Sequence, residues 1–141
     1  MPPHYWIGVI AADHAQHAVQ TGVCAFSHGK PSSLAKLSEG DRIAYYAPKT
    51  GYLEGEPVQC FVALGTVIDA TPFEHDWAGY RIWVCKAAYA ELSAAPVRPL
   101  LEKLKFVTNP AKWGMAFRRS QFEITEQDFA TIEAAMKDQD A

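Results

Sequence analysis

The sequence lacks most of what announces a function at first sight. It has no run approaching the roughly 18 apolar residues of a membrane-spanning helix. Its first residues, Met1-Pro2-Pro3-His4-Tyr5-Trp6, have no basic stretch leading into an apolar one, so no secretory signal is expected. Cysteine is scarce: Cys24, Cys60 and Cys85 are odd in number, far apart and without a CxxC pair. They read as free thiols of a reducing compartment rather than as a zinc site or redox centre, and a cytoplasmic location is the expectation. There is no GxGxxG, no P-loop and no GxSxG, so nucleotide-hydrolysing and hydrolase readings have no anchor. Excess positive charge is missing too. Thirteen Lys and Arg stand against sixteen Asp and Glu, for a net charge of −3 and a pI near 5.9, whereas a nucleic-acid-coating domain usually has a pI above about 9.

What remains is ample for a core. The chain has 141 residues, 49% of them hydrophobic and 12% aromatic, which suits a single domain spanning 1–141 that closes without cross-links. The acidic total conceals a contrast. Residues 98–119 carry six bases (Arg98, Lys103, Lys105, Lys112, Arg118, Arg119) against the single acid Glu102, and the flanking segments are both acidic. This segment reads either as a solvated basic face or as a ligand contact.

Along the chain, Tyr5–Ile10 is β-rich, and Asp13 is a plausible N-cap for a helix to about Gln20 that Gly22 ends. Residues 26–33 form a polar loop. Strands are predicted at Arg42–Ala47, Gln59–Ala70, Tyr80–Tyr89 and Gln121–Ile124, with a hairpin-like connection over 48–57 and a polar connection over 72–79. Short turns between strands favour antiparallel pairing and a small barrel. A short helix is predicted near Pro99–Leu104. A C-terminal helix opens with Thr125-Glu126-Gln127-Asp128, a capping box with Asp in place of Glu, followed by Phe129, Ile132 and Met136 on one face.

Three constellations carry chemistry. Trp6, Tyr45, Tyr46, Trp77 and Trp113 fall at predicted strand ends or in loops, where rings can stack on a nucleobase; Ser27, His28, Lys30 and Asn109 offer polar contacts to a base edge. Trp77 is the most suggestive, because its polar surroundings give it no obvious strand partner. Trp6 reads as core before pocket, because it sits inside an apolar strand, and Trp113 to Phe117 reads equally as a packed closing flap. Cys24 with His28 has the elements of a nucleophile and base, without any mark of an oxyanion hole. Asp13, His14 and His17, with His75 at a distance, have metal-ligating side chains but also read as surface residues, and no metal site is expected.

Four segments in order carry a resemblance: Tyr5-Trp6-Ile7-Gly8-Val9; Cys24-Ala25-Phe26-Ser27-His28-Gly29-Lys30; Lys36 to Tyr46 (KLSEGDRIAYY); and Asn109 to Arg118 (NPAKWGMAFR) with Phe122-Glu123-Ile124. Together they resemble the EVE domain of the PUA-like superfamily, in particular the small stand-alone UPF0310 proteins, over residues 4–136. The resemblance implies an α+β fold, a PUA-like small β-barrel of mostly antiparallel strands with helices capping its ends. It also implies a site for a modified nucleobase, since EVE domains are related to the YTH domains that hold N6-methyladenine in an aromatic cage. Ser27-His28-Gly29 is similar to a Glu-His-Gly of the YTH pattern, and Asp76-Trp77-Ala78-Gly79-Tyr80 to the segment bearing a cage Trp. Where YTH places its first cage Trp, this chain has Val23 or Cys24, which favours a modified cytosine.

The expectation is therefore a non-catalytic domain, without cofactor or metal, that binds nucleic acid or a nucleotide through one modified base. Trp77, Trp113, Trp6 and Tyr45 supply rings, Ser27, His28 and Asn109 read the base edge, and Lys30, Arg118 and Arg119 hold phosphate. The alternative is a small enzyme or binder acting on a free modified nucleoside, with His28 as general acid or base.

Overall fold

A computed structural model describes residues 3–26, 29–51, 55–77 and 79–139. In chain order the elements are β1 (Tyr5–Val9), α1 (Ala12–Thr21), β2 (Val23–Cys24), α2 (Pro31–Leu34), β3 (Arg42–Lys49), β4 (Pro57–Trp77), β5 (Tyr80–Tyr89) and β6 (Ala95–Pro96). There follow 3₁₀ segments at Arg98–Leu100 and Pro110–Phe117, then β7 (Gln121–Ile124) and α3 (Glu126–Asp138). The fold is α+β. One sheet runs β2-β5-β4-β3-β1-β7, and β6 pairs with β4. The pairing is mostly antiparallel, the exception being β1 with β3, where Tyr5 lies opposite Arg42 and Val9 opposite Tyr46 in parallel. The expected barrel is not closed: among the described residues the path ends at β2 and β7, which do not pair. Closure needs two end strands that share a register along their length, and a two-residue β2 offers almost none.

The sheet is covered on both sides. In β1 and β3 neighbouring side chains enter opposite cores: Trp6, Ile43 and Tyr45 join Ala15 and Ala18 of α1, whereas Ile7, Ala44 and Tyr46 join Phe117 and, from α3, Phe129, Ile132 and Met136. A strand buried on both faces reads as an unbroken apolar run, which is why Ile43 to Ala47 shows no alternation. In β4, Tyr45 faces Ala63 while Tyr46 faces Phe61, so Val62 is an extra residue that shifts the faces of the strand.

The helix ends follow local rules with two corrections. Gly22, at φ +70°, ends α1 as expected and donates its N–H to the Ala18 carbonyl at 2.9 Å. The N-cap of α1 is Ala11, not Asp13, which sits in the first turn where its charge still complements the helix dipole. Thr125 caps α3 as expected, its Oγ1 accepting from Asp128 N–H at 3.1 Å. The buried Asp128 carboxylate is drawn away to the N–H groups of Lys105 and Phe106, at 2.9 and 3.1 Å, and thereby fastens the preceding segment onto α3. The polar loop of residues 26–33 contains the start of α2, and the helix expected near Pro99 is the 3₁₀ turn Arg98–Leu100.

The largest departure is β4, which continues for 21 residues through the segment expected to be a connection. Its first part pairs with β3 and its second with β5, and the register across β5 jumps from Asp69–Lys86 to Phe73–Val84. Pro72, which has no N–H to give a ladder, falls in that gap. Beyond Thr66 the strand leaves β3 and continues with β5 alone, carrying Trp77 to its far end. No described helix is long and apolar enough to cross a membrane.

Candidate functional site

Trp77 closes β4 directly opposite Tyr80, the first residue of β5. Both line a cavity of about 740 Å³ whose described lining is mainly apolar. β1 and its continuation bring Val9 and Ile10, α1 brings Ala11 and His14, the chain after β2 brings Ala25, Phe26 and Gly29, and β5 brings Ile82. Cations come from two sides, Lys49 at the end of β3 and Arg81 on β5, and no described lining residue is acidic. Such a pocket suits a flat, largely apolar ligand with a few polar groups and negative charge at one edge.

Trp77 is 6% exposed, and its Nε1–H is enclosed without a hydrogen-bond partner. A buried unmet donor costs roughly 1–3 kcal/mol, so this one stands out at the wall of a cavity. Three histidines gather at the indole. His17 lies against it with centroids 4.8 Å apart, and His14 and His75 stand edge-on at 6.1 and 6.3 Å. His17 Nε2 and His75 Nε2 are 3.1 Å apart, a hydrogen bond in which one ring donates and the other accepts. Burial lowers the pKa of His17, and His75 and His14 lower it further, which favours the neutral ring. The sequence groups His14, His17 and His75 as possible metal ligands, but among the described residues no three His, Cys, Asp or Glu form a metal-binding group.

The wall opposite α1 is held from behind. Tyr45 is fully buried, donates its hydroxyl to the Ala25 carbonyl at 2.8 Å and accepts from Ala25 N–H at 3.0 Å, so it positions Ala25 and Phe26 rather than stacking in the cavity. Gly29 sits at φ +80°, and a Cβ there would come within 2.3 Å of Ile82 Cβ, so only glycine lets this segment reach β5.

Of the remaining residues singled out in the sequence, several are placed elsewhere. Trp6 is core, donating Nε1–H to the buried Asp41 at 3.0 Å. Trp113 packs at the edge of the second core, away from the Trp77 cluster, with the Arg98 guanidinium 5.3 Å from its ring centre. Asn109 is occupied as a cap, its side-chain oxygen accepting from Ala111 N–H at 3.1 Å. Tyr46 stacks on Phe117 at 4.0 Å. Lys30 precedes α2 and does not line the cavity. Arg118 borders a separate shallow depression with Lys112, Gly114 and Met115, and Arg119 lies over Phe122 at 4.7 Å, although the next residue, Ser120, does line the cavity. Ser27 and His28 lie outside the described residues. Cys24 is fully buried and its thiol is pushed up to about 12, so it is no nucleophile. Lys49, Tyr80, Arg81, His14 and Ile82 are among the lining residues that the sequence did not single out for this pocket; no local motif marks them, because they arrive from three separate elements.

The sequence matches the model of the EVE domain over residues 4–135. The chain belongs to the EVE domain family. This EVE domain is 38% identical over 132 residues to a UPF0310 protein of Mycolicibacterium vanbaalenii, covering 93% of this chain and 91% of that protein. It is 34% identical over 140 residues to the UPF0310 protein YdcG of Bacillus subtilis, covering 96% and 94%. Among solved structures, this EVE domain is similar in fold to the Pho92 YTH domain in complex with m6A, with a TM-score of 0.64, 14% identity and coverage of 99% and 86%. It is likewise similar to the YTH domain of the Zygosaccharomyces rouxii MRB1 protein in complex with N6-methyladenosine RNA, with a TM-score of 0.60, 16% identity and coverage of 96% and 85%.

Proposed function

We propose that this EVE domain recognises a modified base of a nucleic acid in the cavity beside Trp77 and performs no chemistry on it. The observation that carries the reading is the indole itself, a buried ring at the wall of an open cavity, with an N–H that no side chain satisfies. Base-on-ring stacking is worth roughly 1–3 kcal/mol. Extruding a base costs a few kcal/mol, least where pairing is already weakened, so one stack with one or two polar contacts is enough to offset it.

Two further points support the reading. YTH domains of the same fold have been solved holding m6A or an m6A RNA. The phosphate role expected for Lys30, Arg118 and Arg119 passes in this proposal to Lys49 and Arg81, which line the cavity itself. A modified cytosine is the favoured ligand, because the chain has Val23 or Cys24 where the YTH pattern has its first cage Trp, and neither lines the cavity, leaving less ring area than a purine would use.

The test is a tryptophan-fluorescence titration with single-stranded oligonucleotides that contain 5-methylcytosine, 5-hydroxymethylcytosine, N6-methyladenine or no modification. The expected result is a saturable change for a modified strand, tighter than for the unmodified one, and its loss in Trp77→Phe. Equal or absent responses across the set would reject base recognition. A response to N6-methyladenine in preference to both cytosines would keep the site and reject the pyrimidine preference.

A further inference from the structure

Tyr80 is the most exposed large hydrophobic residue described, at 74%, yet it faces Trp77 across the β4–β5 pair. Directly opposed residues of an antiparallel pair project from the same face of the ribbon. Trp77 and Tyr80 therefore line one cavity from one side, the first enclosed and the second at the rim. The neighbouring Arg81 also lines the cavity, and its partner Glu74 is a solvent-exposed one, with Nη2 to Oε2 at 3.2 Å and side chains 72% and 49% exposed. A surface ion pair of this kind contributes about 0–1 kcal/mol and yields readily to a phosphate.

We propose that Tyr80 is a stacking platform for the nucleotide next to the recognised base, with Arg81 on the intervening phosphate, so that the preferred ligand is a base within a strand and not a free nucleoside. The inference rests on the base-recognition reading and adds to it a second, separable contact. Withdrawing one base from a strand uncovers the face of its neighbour. A ring at the rim of the pocket replaces the stack that extrusion removes, and does so for any neighbouring base, since every base has a π-face. An isolated nucleoside has no neighbour to cover and no phosphate to hold, and it gains neither contact.

Binding is measured by isothermal titration calorimetry with two probes, 5-methylcytidine and the trinucleotide in which it is the central residue, for the unaltered protein, Tyr80→Ala and Tyr80→Phe. The unaltered protein is expected to bind the trinucleotide more tightly. Tyr80→Ala is expected to weaken the trinucleotide by roughly 5- to 160-fold, the worth of one base–ring stack, to leave the nucleoside within about twofold, and Tyr80→Phe is expected to restore trinucleotide binding. An equal loss on both probes would place Tyr80 in the base pocket and overturn the proposal, as would no loss on either. If the unaltered protein binds neither these probes nor their N6-methyladenosine counterparts, base recognition itself falls and the platform with it. Arg81→Gln should weaken the trinucleotide and flatten its salt dependence while sparing the nucleoside; an unchanged salt dependence would remove Arg81 from the phosphate.

Discussion

The His17 ring lies 4.8 Å from the Trp77 ring and 3.1 Å, nitrogen to nitrogen, from His75, so the wall of the cavity is backed by a pair of imidazoles, and burial, with His75 and His14 nearby, lowers the pKa of His17. Trp77 is thus coupled to pH through residues that the cavity's own ligand need not touch.

A pH dependence follows from two histidines with opposite signs. His17 titrates below the ordinary 6.5, so its contribution to stability is complete above that value and is lost as pH falls from 6.5 through the lower folded-state pKa, because the unfolded chain then binds the proton that the native one resists. His4 is raised by its hydrogen bond to Glu123 and by that carboxylate's charge, so its contribution is complete below 6.5 and is lost as pH rises through the raised value. The His4 effect is small, since both of its side chains are half exposed. Urea midpoints measured across pH should fall on the acid side through His17, and His17→Gln should flatten that limb. Glu123→Gln should flatten the decline above 6.5 and leave the acid limb alone.

Trp77→Phe separates stability from recognition. The change keeps a ring but removes an N–H that is buried without a partner, and relief of that penalty, roughly 1–3 kcal/mol, offsets the lost contact area. Stability within about 1 kcal/mol of the unaltered protein is expected by chemical denaturation, while affinity for a modified strand drops. Trp77→Ala, which also empties the wall, should cost about 3–5 kcal/mol.

Asp41 organises the start of the sheet. Its buried carboxylate accepts from His4 N–H, Trp6 Nε1–H and Ser38 N–H, each at 3.0 Å. Asp41→Ala leaves these donors unmet and is expected to cost at least about 2 kcal/mol, at roughly 1–3 kcal/mol for each donor left dry. The denaturation midpoint should fall accordingly, and Asp41→Asn, which retains one acceptor, should lie between. A midpoint unchanged in Asp41→Ala would mean that water or a shifted backbone replaces the carboxylate.

The thiols should react in two classes. Cys24 and Cys85 are buried, with pKa values pushed up to about 12 and about 11, burial being the first cause in each, whereas Cys60 is partly exposed. A native-state titration with a disulfide reagent is expected to modify Cys60 alone, and unfolding should release the other two. Fast reaction of Cys24 in the native protein would contradict its placement.

Local chemistry made much of the fold legible. Gly22 at the end of α1, Thr125 at the start of α3 and the Phe129–Ile132–Met136 stripe act within a few residues of themselves, and each takes the place expected of it. The end of β4 was legible only in part. Phe73, His75 and Trp77 alternate with exposed Glu74 and Asp76, a period-two signal, but Pro72 and the charged residues conceal it as a connection. The basic segment was legible as charge alone: the rings that Arg98 and Arg119 lie over, Trp113 and Phe122, are visible only once packed.

The sequence by itself determined the α+β class, the family, most element positions and the choice of Trp77 as the residue to watch, because these rest on composition, short-range capping and ordered motifs. Only the tertiary structure decided which rings share a site. Trp77 and Trp113 both look available in the sequence, yet the sheet separates their two cores, and Trp77 instead meets His14 and His17 from a helix some sixty residues earlier. The physical reason is that a pocket is made by strand register and by the side of the sheet on which a residue falls. A single extra residue such as Val62 reverses that side without leaving a mark in composition or local pattern.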